Sequence, residues 1–242
     1  MPQQSIQHQP RTSVGAQARA LLGLGLPLIG SHVAQTLISV TDTLMMGWYG
    51  IPELAALSLA GPVYYIVFIF GSGFAWAVMP LVASYAANED DQQIRRVTRM
   101  GLWQSILFGL VALPVFFSFG TLFLMMGQEA EVSRLAGTYM AIMGFGLIPA
   151  ILVMVLKSYL AGLEHTRVVL WITVAGALAN AFANYALIFG NWGMPELGIT
   201  GAGLASVTSN VVMLGFVVVY AVRKTPEHRI FVRFWNPDRE MA

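Results

Sequence analysis

Six long stretches without a charged residue divide the chain, at 20–41, 54–88, 100–128, 135–156, 168–195 and 197–222. A helix needs roughly 20 apolar residues to cross the hydrocarbon core of a bilayer, so each stretch supplies one crossing. The pattern predicts transmembrane helices near 20–46, 55–86, 99–125, 134–161, 166–190 and 199–222. The connections between them are short and leave no room for a soluble domain. The first apolar run is longer than the core of a cleaved signal peptide and is not followed by a small-residue cleavage site, so it is expected to stay as a helix. Residues 1–18, rich in Gln, Ser and Arg, read as a disordered polar tail. Small residues four apart, Gly71/Ala75, Gly73/Ala77 and Gly201/Ala205, mark faces where helix backbones can approach closely. Pro27, Pro62, Pro80, Pro114 and Pro149 fall within or at the ends of these helices, where neighbouring groups in a bundle can tolerate the lost hydrogen bond.

Composition agrees. Of 242 residues, 57% are hydrophobic and 10% charged, and the mean hydropathy is +0.67. Soluble domains carry about 25% charged residues, so the fold class is an all-α integral membrane bundle. A net charge of +1 offers no basis for binding nucleic acid. The absence of cysteine removes disulfides, thiol nucleophiles and Cys-based metal sites.

Charge placement sets an expected orientation. With six crossings, both termini and the loops at 87–98 and 162–166 share one side. That side holds Arg11, Arg19, Arg95, Arg96, Arg99, Arg167, Arg223, Lys224, Arg229, Arg233 and Arg239, with Lys157 close to it; the other side holds Arg134. Excess Lys and Arg in short loops marks the cytoplasmic face. Both ends are therefore expected inside, with Trp48, Tyr49 and Trp192 at the outer interface.

One carboxylate interrupts this pattern. Asp42 is the sole acidic residue within the six expected helices. An ionised carboxylate at mid-membrane costs on the order of 2.5 to 3.5 kcal/mol, and such residues usually line an ion or proton path. Helical geometry places Ser31, Gln35, Ser39 and Asp42 within roughly an 80° sector, a polar stripe on one face. His32 lies off that stripe and reads as a buried or interfacial packing residue. Asp42 could instead reach interfacial water from the end of its helix, but the stripe favours a cavity. Asn180 and Asn184, at i and i+4, share one face of the fifth crossing. Such amides are either interhelical glue or, at the depth of Asp42, oxygen ligands for a small hard cation.

These residues also carry a resemblance. The run Pro27, Gln35, DTLMMGWYG from Asp42 and ELAA from Glu53 is followed by GSGFAWAVMPLVASYAA from Gly71 and RRVTRMGLW from Arg95. With YLAGLEHTR from Tyr159 and NAFANYALIFGNWGMPELGITGAGLAS from Asn180, it resembles the MATE (multidrug and toxic compound extrusion) family, in its NorM- and DinF-like bacterial branch. The similarity covers roughly 20–222. It implies an antiporter of the inner membrane, driven by protons or sodium ions, that expels small cationic, amphipathic drugs. The family fold has two six-helix lobes around a central cavity. The resemblance further implies a proton or cation site at Asp42, Asn180 and Asn184, with Gln35 beside them, Thr200 and Ser206 as weaker candidates, and a helix bend at Pro27. No resident cofactor or metal is implied beyond a sodium ion at Asp42, Asn180 and Asn184.

The family is about twice this length, and the basic, aromatic stretch at 223–242 resembles the linker between its lobes. On that reading the chain is an N-terminal lobe (19–222) plus linker, either a fragment or a half that pairs with a missing C-lobe or a second copy. YAANEDD, after the second crossing, departs from the family's usual Gly-rich turn. Other functions weigh less. A lipid-linked saccharide flippase should line its cavity with Arg or Lys, which this pattern lacks at mid-membrane. Intramembrane proteolysis by carboxylates needs two helical Asp residues. His8, His32, His165 and His228 make no metal-ligand spacing, so an enzyme is not expected; an inactive membrane fragment stays open.

Overall fold

The computed structural model describes residues 14–232, which are helical apart from short connections. Helix α1 (Val14–Tyr49) turns through Gly50 alone into α2 (Ile51–Ala87). The turn can be this tight because Gly50 is extended (φ −174°) and Pro52, in the first turn of α2, gives up an N–H that would have had no intrahelical partner. Glu53 in the same turn complements the positive end of the helix dipole. Next come α3 (Asp91–Phe116), a short α4 (Phe119–Met125), α5 (Ala130–Gly162), α6 (Thr166–Phe189) and α7 (Ile199–Lys224). All except α4 are long and apolar enough to cross a membrane. The chain is thus a six-span, multi-pass membrane protein.

The largest departures from the expected boundaries are at the start of α1 and at the two ends of the third crossing. Residues 14–18, expected in the tail, are the first turn of α1; residues 1–13 lie outside the described residues. The third crossing starts at Asp91 rather than 99, because the Asp90 side chain caps it, accepting from the Gln93 N–H at 3.0 Å. Its early polar turns are anchored by Ile94 and Thr98, both buried. It also breaks at Phe117–Ser118, just beyond Pro114, and resumes as α4.

Consecutive spans run in opposite directions, and the side-chain register follows. Helices α1 and α6 lie parallel: Ser31 meets Thr173 and Asp42 meets Asn184 at the same sequence offset of 142. The central helix is α5, which packs against α2, α3, α4 and α7; α6 bridges α1 and α7. In the most hydrophobic window of α5 61% of residues are buried, against 17% for α1, which places α1 at the rim. Close approaches occur where glycine allows them. A Cβ on Gly137 of α5 would stand 2.6 Å from the Gly120 Cα of α4, and Gly71 sits under Phe108 and Ile151. Gly201 lies against the Leu187 backbone. Gly73 does not fit the expected pattern, since both it and Ala77 are exposed.

Arg95, Arg96, Arg99, Arg167, Arg223, Lys224 and Arg229 lie at the end carrying the α2–α3 and α5–α6 connections, here the basic end. There the segment after α7, expected to be linker, is folded down. Arg99 of α3 donates to the carbonyls of Ile230 (2.7 Å), Arg229 (3.0 Å) and Val232. His228 is buried between the Tyr159 hydroxyl, 2.5 Å away, and an Asp91 carboxylate oxygen at 3.3 Å. Residues 233–242 of the expected linker lie outside the described residues.

Candidate functional site

Asp42 projects from α1 into the junction with α6 and α7, two turns before α1 ends at Tyr49. One carboxylate oxygen, Oδ1, accepts from Asn184 Nδ2 of α6 at 2.5 Å. The other, Oδ2, accepts from the Ser206 hydroxyl of α7 at 3.3 Å. Asn184 Nδ2 also donates to Asn180 Oδ1, one turn back, at 3.1 Å. Asp42 is 8% exposed, Asn180 and Asn184 are 0%, and Ser206 is 7%, so the cluster is sealed from bulk solvent. Tyr139 of α5, also buried, brings its hydroxyl beside Ser206. Four helices thus converge on one carboxylate.

The local sequence explains this convergence. The buried row of α1 runs Ala34, Ile38, Asp42, Met46, four residues apart, the spacing of a helix ridge. Two turns above, the left-handed Gly198 (φ 53°) lets the chain turn into α7 against the Tyr49 ring. Register along α7 then brings Ser206, not Thr200, to Asp42.

The polar network is incompletely satisfied. Asn180 Nδ2, Asn184 Oδ1 and the Tyr64 hydroxyl of α2 are buried and, among the described residues, have no hydrogen-bond partner. Buried polar atoms are paired in the great majority of cases, and exceptions call for a reason. Ser31 and Thr173, a parallel pair on the same two helices, show the ordinary outcome. Their hydroxyls meet at 2.9 Å, and Thr173 spends its proton on the Val169 carbonyl.

Of the residues singled out from sequence, Asp42, Asn180, Asn184 and Ser206 are brought together. Gln35 and Ser39 are exposed, one position round from the buried row, and do not touch Asp42. Thr200 is half-buried in the first turn of α7, away from the carboxylate. Pro27 is half-buried within an unbroken α1. His32, expected as a buried or interfacial packing residue, is exposed, so the buried alternative does not hold. Tyr139 and Tyr64 went unnoticed; a tyrosine within an apolar run looks like core, and only the packing of α5 and α2 distinguishes these two.

Comparisons with known proteins identify the family and the fold. The chain is 44% identical, over 91% of its length, to a probable multidrug resistance protein NorM of Rhizobium meliloti, and 40% identical over 91% to one of Agrobacterium fabrum. It spans about half the length of these curated relatives, 48% in each case. A solved structure of a multidrug resistance MATE family transporter in an outward-facing conformation superposes with a TM-score of 0.80 at 22% identity. That match covers 96% of this chain and 52% of the other. The MatE family model matches residues 27–186, most of the span that builds the site. The chain belongs to the MatE family.

Proposed function

We propose that this chain forms one six-helix half of a cation-coupled antiporter that exports small cationic, amphipathic compounds, with H+ or Na+ as the coupling ion. The observation that carries this reading is the buried Asp42, held by Asn184 and Ser206 beside two amide atoms, Asn180 Nδ2 and Asn184 Oδ1, that lack hydrogen-bond partners among the described residues. An amide exchanges donor for acceptor by turning over. In one orientation Asn184 donates to an ionised Asp42. In the other its Oδ1 faces the carboxylate, accepting from a protonated Asp42 or joining Asp42, Asn180 and Ser206 oxygens around a cation. Hard cations favour such oxygen ligands. One rotation therefore gives the site an empty and a loaded form.

The exposed polar row of α1, His32, Gln35 and Ser39, supports a water-filled cleft between this half and a second one. Such groups facing lipid would be costly. The second half is a C-lobe or another copy of the chain. The charge distribution supports an inner-membrane protein with its basic end cytoplasmic; its other partners are membrane lipids, and nucleic acid is not among them.

The test is energy-dependent efflux of a cationic dye. It would be followed in cells producing the chain alone and in cells producing it joined to the second half of a full-length relative. Asp42→Asn should abolish export while leaving membrane insertion unchanged. Normal export by that variant would refute the role given to Asp42.

A further inference from the structure

We infer that a groove between α6 and α7 at the basic end binds an anionic phospholipid, with one acyl chain in the groove and the phosphate against Arg223 and Lys224. The groove is a cavity of about 360 Å³ on the outer surface of the lobe, away from Asp42. Its walls are Trp171 and Ala175 from α6 and Phe216 and Val219 from α7, and Arg223 and Lys224 stand at its mouth. Trp171, Phe216 and Val219 are 69%, 55% and 49% exposed, an apolar face directed outward. Ligand pockets span roughly 300 to 1,000 Å³, so this one suits a single chain rather than a whole lipid.

Apolar complementarity alone cannot select an occupant here. Moving a lipid tail from bilayer to groove exchanges one apolar surface for another, so the tail brings little net gain. Selectivity must come from the mouth. Both Arg223 and Lys224 are exposed, and among the described residues neither forms an ion pair. Arg167, also exposed, adjoins the α6 wall at Val168. Cations in the last turn of α7 also complement its dipole, but that accounts for the charges and not for the groove beneath them. Basic pockets between spanning helices on the cytoplasmic side match anionic headgroups. Trp171, an amphipathic ring, lies one turn from the start of α6, where headgroups begin.

Tryptophan quenching by brominated acyl chains tests this directly. The full 242-residue chain is placed in phosphatidylcholine vesicles containing brominated phosphatidylglycerol or brominated phosphatidylcholine in both leaflets. Because both leaflets carry the probe, the outcome does not depend on the proposed orientation or on transport. The contribution of Trp171 is the signal lost in Trp171→Phe. Two cations at a lipid surface, each contributing about fivefold, predict a preference for the anionic lipid at Trp171 on the order of 30-fold. Arg223→Gln/Lys224→Gln should bring it close to one, whereas Arg223→Lys and the charge-matched Arg19→Gln/Arg96→Gln should retain it. Equal quenching by both lipids in the wild type would overturn the proposal, as would a preference that survives Arg223→Gln/Lys224→Gln. So would an equal loss in Arg19→Gln/Arg96→Gln, which would indicate a general surface charge. Protection of Trp171 from both lipids would overturn it too, since another protein surface would then cover the groove.

Discussion

The contact between Asp42 and Asn184 is the shortest polar link between α1 and the rest of the bundle, and its strength is measurable. Asn184→Ala removes a donor that serves two acceptors, Asp42 Oδ1 at 2.5 Å and Asn180 Oδ1 at 3.1 Å. In a membrane protein such contacts average about 0.6 kcal/mol in double-mutant cycles and reach about 1.7. A short bond to a carboxylate belongs near the top of that range. The coupling between Asp42→Ala and Asn184→Ala should therefore be about 1.5 kcal/mol. The Asn184→Ala variant alone should cost about 2 to 3 kcal/mol, because the buried Asn180 oxygen is left unpaired too. The Ser206 contact, at 3.3 Å, is longer and weaker, and its coupling to Asp42→Ala should be nearer 0.5 kcal/mol. Equilibrium unfolding of the purified chain in mixed detergent micelles, followed by circular dichroism, gives all three values. An Asp42–Asn184 coupling below that of Asp42–Ser206 would refute the reasoning, because the order rests on geometry alone.

Three further predictions follow from other parts of the fold. Gly137→Ala should lower stability by about 1 to 3 kcal/mol, since its new Cβ meets the Gly120 backbone at 2.6 Å and backbone cannot rotate aside. Gly73→Ala, with nothing within 4 Å, should stay within about 0.5 kcal/mol of wild type in the same unfolding assay. Arg99→Gln should release the segment 225–232 from α3 and speed its amide hydrogen exchange roughly tenfold or more, leaving the α3 centre unchanged; unchanged protection of 225–232 would contradict the docking described. Orientation is open to labelling because the chain has no native cysteine. Gln128→Cys should react with an impermeant maleimide added outside intact cells and Glu164→Cys should not, and the reverse result would invert the proposed topology.

How far the sequence carried the reading depends on what each feature rests on. The six spans were legible because uninterrupted apolar stretches of that length have few other uses. Their ends were not. The turns at 14–19 and 91–98 are polar, and helix at the second is secured by the Asp90 cap and by buried Ile94, neither of which registers as hydropathy. Within the site, Asp42 and Asn184 were legible as unusual residues at one depth. Choosing among Gln35, Ser39, Thr200 and Ser206 was not, because it depends on how helices sit against each other. The 80° stripe treated α1 as a straight cylinder, whereas its buried row follows the i, i+4 ridge through Ala34, Ile38, Asp42 and Met46, and that leaves Gln35 and Ser39 outside. Ser206 over Thr200 likewise depends on the register of α7 against α1, which hydropathy does not carry.

That ridge gives α1 two polar rows with different fates. The inner row ends in hydrogen bonds, Ser31 to Thr173 and Asp42 to Asn184 and Ser206. The outer row is divided. Thr36 and Thr43 satisfy themselves on the carbonyls of His32 and Ser39, at 3.0 and 2.9 Å, as a hydroxyl in a lipid-facing helix must. Among the described residues the side chains of His32 and Gln35 form no such local bond, and a helix meant only for lipid would have no use for them. Since α1 is also the least buried span, its position depends heavily on the inner row. A change at Asp42 alters the shortest of those bonds, so a proton or cation bound there, as proposed above, would act on the helix that carries the exposed row. On the proposed reading, coupling between ion and cargo needs no long pathway, because the carboxylate and the exposed row sit on adjoining faces of the same helix.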